Sequence, residues 1–199
     1  MKAMTPIEAR EWCSQGSTGL HVTRDEILRY KRSEEHKFFI TAPEEHRMIA
    51  FLARTLPCFR GEANFSGGFL WLRRWDIGSR PEVSSGWLIL ESVRRAHGEL
   101  RSLEVADAQY FREDEFAELH VFLIQTIAYG WVADYVPCAG GYFLHFKDNR
   151  QICFTAESAG TLKELRTAYQ RWNPTDEDPM VVKMALIRKE RRRSGSGYK

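Results

Sequence analysis

Between residues 131 and 155 the chain passes through three short stretches rich in aromatic and β-branched residues, at 131–137, 142–147 and 151–155. Gly140-Gly141 separates the first two and Asp148-Asn149-Arg150 the last two. Both connections use residues that tolerate a positive φ, as a tight reversal between neighbouring strands requires. The pattern predicts a three-stranded antiparallel meander. Along its middle strand Tyr142, Leu144 and Phe146 alternate with Phe143, His145 and Lys147. Period-two geometry then turns the first set to a core and the second to a partly solvated face.

Helix signals surround the meander. Thr5 with Glu8, Thr23 with Glu26, Thr41 with Glu44 and Thr161 with Glu164 have the spacing of a capping box, in which hydroxyl and carboxylate satisfy first-turn amides. Pro6 and Pro43 fall in first turns, where a missing N–H costs nothing. These signals predict helices at 5–14, 24–34 and 43–56, and one from Thr161 through Trp172 that Asn173-Pro174 ends. The third carries Met48, Ile49, Leu52 and Leu56 on one stripe and stops at Pro57. Residues 86–97 read as a helix closed by Gly98, although 86–90 alone would pass for a buried strand. Another helix follows the acidic run Glu113, Asp114, Glu115, with Phe116, Leu119, Leu123 and Ile127 at helical spacing. Further strands are expected at 37–41, 69–77 and 103–111. Helices alternating with strands and then a meander predict an α+β fold, a mixed sheet with helices packed on it.

With 199 residues, 43% hydrophobic and 13% aromatic, the chain has the apolar content for one core. The expected organisation is a single globular domain over 1–182 and a basic C-terminal tail over 183–199. In that tail seven Lys/Arg face one Glu, so it carries +6 and the body −4 of the overall +2. Phosphate neutralisation would therefore fall to the tail, which makes Arg188, Lys189, Arg191, Arg192 and Arg193 the contacts of a nucleic-acid-associated alternative. Cys13, Cys58, Cys138 and Cys153 are widely spaced with no CxxC pair, the pattern of free thiols. No apolar leader opens the chain and no window approaches the ~20 apolar residues of a membrane helix, so a cytoplasmic location is expected.

Candidate chemistry is sparse. The six histidines form neither HExxH nor an i, i+4 pair, and the Gly67-Gly68 and Gly140-Gly141 pairs lack the residues that complete a phosphate loop, so no metal or cofactor is expected. His145 lies on the strand between those bearing Asp134 and Cys153, with Cys138 just beyond, which opens a cysteine-dependent hydrolase or transferase reading. In Trp71-Leu-Arg-Arg-Trp75 one face of a strand presents Trp71, Arg73 and Trp75. Such a stack either receives an anion or base, or simply packs, with the Arg stem covering the rings. Missing catalytic motifs and abundant Trp, Tyr, Phe and Arg put a protein-interaction or regulatory module first, with a protein partner contacting Trp71, Arg73, Trp75 and His145. An exposed edge of the meander would offer that partner strand addition.

Overall fold

The computed structural model describes residues 1–15, 20–23, 28–30, 36–74 and 85–194, giving the backbone alone for Gln15, Asn149 and residues 188–194. In chain order the elements are β1 (Lys2–Met4), α1 (Pro6–Gln15), β2 (Leu20–Val22), β3 (Leu28–Tyr30), β4 (His36–Thr41) and α2 (His46–Thr55). Then come β5 (Gly68–Arg74), α3 (Ser85–Ala96), β6 (Ala108–Phe111), α4 (Phe116–Tyr129), β7 (Val132–Pro137), β8 (Tyr142–Phe146), β9 (Gln151–Ala156), α5 (Ala159–Ala168) and α6 (Pro179–Ser194). The meander of β7, β8 and β9 forms as its turn chemistry requires, with Gly140, Gly141 and Arg150 all at positive φ.

Seven strands make one sheet in the order β1-β6-β5-β7-β8-β9-β4, and every neighbouring pair is antiparallel. The expected mixed sheet is thereby corrected. The helix α4 does connect two strands of like direction, β6 and β7, but β5 lies between them and runs opposite to both. Alternation along the chain reveals a crossover, not which strands become neighbours. The hairpin of β2 and β3 stands apart from this sheet.

Helices α2, α3, α4 and α5 bury one face. Leu70 and Leu72 of β5, Tyr135 of β7, Leu144 and Phe146 of β8 and Phe154 of β9 meet Leu52, Leu90, Phe122 and Leu165 there. The other face is covered over β5 and its neighbours by α1 and the hairpin, where Ala9, Cys13, Leu20 and Tyr30 pack on Phe69, Trp71, Val136 and Phe143. Stacking of Trp12 on Phe69 at 4.4 Å ties α1 down.

Several local expectations change for physical reasons. The capping box of α1 is realised, with Thr5 N donating to Glu8 Oε2 at 2.7 Å and Glu8 N to Thr5 Oγ1 at 3.4 Å. Thr41 instead closes β4 opposite Gln151, so α2 starts at His46 after Glu45 and without a side-chain cap. Ser158, not Thr161, caps α5, accepting Thr161 N at 3.1 Å. That helix ends at Ala168, and residues 170–172 form a tighter turn before Asn173 at φ 51. The helix expected at 24–34 is contradicted at 28–30, where Leu28 and Tyr30 are buried around exposed Arg29 with the period of a strand; 24–27 and 31–34 lie outside the described residues. The strand expected from 103 begins only at Ala108, because the chain turns over 102–106, with Val105 N and Ala106 N both donating to Ser102 O at 3.1 Å and Leu103 N to Glu91 Oε1 at 2.7 Å. The strand over 69–77 is β5, its last three expected positions lying outside the described residues.

Candidate functional site

Strand register puts Phe39, Cys153, His145, Asp134, Trp71 and Ala108 side by side in one row across the sheet, on the face that α1 covers. Asp134 is the hub. It is 2% exposed, and its two oxygens are taken by two of the residues nominated from sequence. Arg73 Nε donates to Oδ2 at 2.9 Å, and His145 Nδ1 lies 2.7 Å from Oδ1. A carboxylate has no proton to give, so the imidazole donates through Nδ1 and keeps Nε2 for solvent or a ligand. The side chain of His145 is 36% exposed.

Arg73 lies flat on Trp71, its guanidinium carbon 3.5 Å from the ring centroid. Its Nη1 and Nη2 are buried and meet no acceptor among the described residues. Trp71 is 2% exposed, so it serves as the plate beneath Arg73 and has almost no surface of its own to offer a partner. The structure thus brings Trp71, Arg73 and His145 together, while Trp75 lies outside the described residues. Sequence reading gave Asp134 a part only beside a cysteine. The signal for its wider role was a lone carboxylate inside an apolar strand, which burial obliges to find donors.

The cysteines do not join this network. Cys153 is opposite His145 in register, yet its Sγ faces Thr155 Oγ1 at 3.8 Å while the imidazole is engaged by Asp134. Burial pushes the Cys153 and Cys138 thiols up, that of Cys13 to about 12 and that of Cys58 to about 11. All four are free and protonated at neutral pH, the opposite of an activated nucleophile. Among the described residues no group of three or more His, Cys, Asp or Glu is placed to hold a metal ion.

Concavities of useful size adjoin the sheet among the described residues. One of about 460 Å³ lies between Pro57–Arg60 and the turn from β7 to β8, with Tyr142 and Thr161 in its wall. Three of its polar groups have partners within the chain: Tyr142 OH donates to Leu56 O at 3.0 Å, Asn64 Nδ2 to Arg60 O at 3.0 Å, and Arg60 pairs at the surface with Glu164 at 2.5 Å. Another, about 360 Å³ and wide open, adjoins His145 and is edged by Arg74, Lys147 and Asp148. Its cations are also paired, Arg74 with Asp148 at 2.7 Å and Lys147 with Asp178. Neither cavity converges polar groups on a reacting atom.

Asp178 anchors the root of α6. It holds Lys147 of the turn after β8 and accepts Met180 N at 2.9 Å. Beyond that root residues 181–186 are exposed and Ile187 is partly covered. Val181 is 64% and Leu186 56% exposed, and Met180, Val182 and Met184 are exposed with them. The backbone of α6 continues through Arg188, Lys189, Arg191, Arg192 and Arg193, so the boundary expected at 182 falls inside a helix. The meander, by contrast, offers no free edge for strand addition, because β5 covers β7 and β4 covers β9. The outer edge of β4 is itself bridged at Phe39 by Thr175 through hydrogen bonds of 2.8 and 2.9 Å. No helix among the described residues is long and apolar enough to cross a membrane. In comparisons with family models, curated proteins and solved structures, nothing matches this chain.

Proposed function

We propose that this protein is a non-catalytic binding module that engages another protein through α6. The observation that carries the reading is the exposure of Met180, Val181, Val182, Met184 and Leu186 on a helix whose polar anchor to the body, Asp178 with Lys147, lies at its root. Exposed apolar residues scattered singly are ordinary, whereas five within seven positions form a contiguous patch of the kind that marks an interaction site. Fully burying three such side chains contributes on the order of 5 kcal/mol before the costs of association. His145, on the same open side of the sheet as Lys147, offers the partner a second, polar contact. The protonated thiols and paired cations argue against a reaction centre. Four unpaired cysteines fit a reducing compartment, and the reading places the module in the cytoplasm.

The test is a pair of charges in the patch. Val181→Asp with Leu186→Asp changes only exposed positions, so thermal unfolding should stay within ~2 °C of the parent. Partner capture from native extract should fall by at least about tenfold, the loss that one well-packed anchor explains. Undiminished capture by the doubly substituted protein would refute the reading.

A further inference from the structure

The apolar and charged residues of α6 are separated along the helix axis and not around it. From Met180 to Ile187 every residue but Lys183 is apolar, and five of the six residues from Arg188 to Arg193 are Arg or Lys. At ~100° per residue the apolar positions sweep about 260° of the circumference, interrupted only at Lys183. That distribution constrains what can cover the helix. A contact along one side buries a stripe of roughly 100° and leaves the flank carrying Val182 and Leu186 in water. Two α6 helices of separate copies laid side by side make such a contact, and a parallel pair also sets two basic runs against each other. A membrane surface calls for one apolar and one polar face, which this helix lacks. Spanning is excluded by length, because eight residues rise about 12 Å against a hydrocarbon core of about 30 Å.

Resting on the α6 reading of function, we infer that the partner is a protein whose apolar cleft closes around the first two turns of α6, with an acidic patch where the basic turns emerge. The cleft is about 12 Å deep and the acidic patch covers about the next 9 Å. Charge fixes the sign. Residues 183–199 carry +6, five of the cations between Arg188 and Arg193, so a partner's carboxylates gain most at the far end of α6.

Photo-crosslinking of the full chain in native extract tests this. Benzoylphenylalanine replaces Leu186 in one protein and Arg192 in another, and the adducts are mapped by mass spectrometry. Both positions should label the same polypeptide, Leu186 through apolar side chains and Arg192 within a few residues of Asp or Glu. Capture should weaken at least about tenfold between about 50 and 500 mM salt, and changing all five cationic residues from Arg188 to Arg193 to Ser should remove that salt dependence. Adducts on lipid, on nucleic acid or on a second copy of this chain overturn the inference, as does the absence of an adduct at both positions. Capture that is lost with V181D/L186D but indifferent to salt and to neutralisation overturns the acidic patch and leaves the module reading standing. Adducts from Arg192 that persist in V181D/L186D remove both.

Discussion

Removing the carboxylate of Asp134 should be among the most damaging single changes the sheet can suffer without a change in volume of more than a few atoms. In Asp134→Ala, Arg73 keeps its place on Trp71 and loses the one acceptor it has among the described residues, so a guanidinium 11% exposed at the side chain is left with none of its donors satisfied by them. His145 loses its Nδ1 partner in the same step. Breaking one member of a buried ion pair costs roughly 3–5 kcal/mol, mostly the penalty of the orphaned charge. For a chain of this length 1 kcal/mol corresponds to roughly 2–4 °C, so the melting temperature should fall by about 10 °C. Urea unfolding followed by far-ultraviolet circular dichroism gives the free energy directly. The decisive companion is Asp134→Leu with Arg73→Met, which removes both charges and keeps apolar volume over Trp71. It should cost under ~1.5 kcal/mol, and set against the singles Asp134→Leu and Arg73→Met it should give a coupling energy of at least ~2 kcal/mol between the sites. A melting temperature for Asp134→Ala within ~3 °C of the parent, or a double variant as unstable as the sum of the singles, would refute the idea that Asp134 is what makes a buried Arg73 tolerable.

Gly68→Ala should destabilise by about 1–3 kcal/mol in urea, because the added Cβ would lie 2.4 Å from Tyr135 OH and 2.5 Å from its Cε2, atoms of a ring that is wholly buried; an unchanged midpoint would mean that the ring has room to move. Hydrogen bonds from Arg101 hold the Glu99 carboxyl at about 2 against an ordinary 4.5. A depressed folded-state value contributes stability that is present above pH 4.5 and lost as the pH falls towards 2. Glu99→Gln should therefore flatten the acid limb of the urea midpoint across that window, and parallel limbs in the two proteins would count against the assignment.

Short-range features were legible wherever one physical requirement dominated. Gly140-Gly141 between two alternating apolar stretches left a tight reversal as the economical solution, and the helix over 85–96 ends at Gly98 with φ +80 as its punctuation indicated. Errors arose where two requirements competed for one residue. Thr41 has a capping partner at the right spacing, but its backbone closes a ladder with Gln151, and the sheet prevails. The segment around Leu28 has a helix-start signal, yet burial of Leu28 and Tyr30 on either side of Arg29 follows the period of a hairpin. Of the site, the alternation that turned His145 away from the core was readable from residues 142–147 alone. The partner that orients it was not, because Asp134 and His145 are brought level by strand register.

By itself the sequence determined the α+β class, the meander, most helix positions and the division between an acidic body and a basic C-terminal end. These follow from periodicity, turn stereochemistry and counted charge, which are properties of neighbours along the chain. Only the tertiary structure decided that β5 separates β6 from β7, that Arg73 and His145 share one carboxylate above Trp71, and that Met180 to Leu186 stand in water. Each of these depends on which distant surfaces meet. An apolar residue carries the same preference for burial in any position, and whether that preference is met is settled by what the rest of the chain has left uncovered.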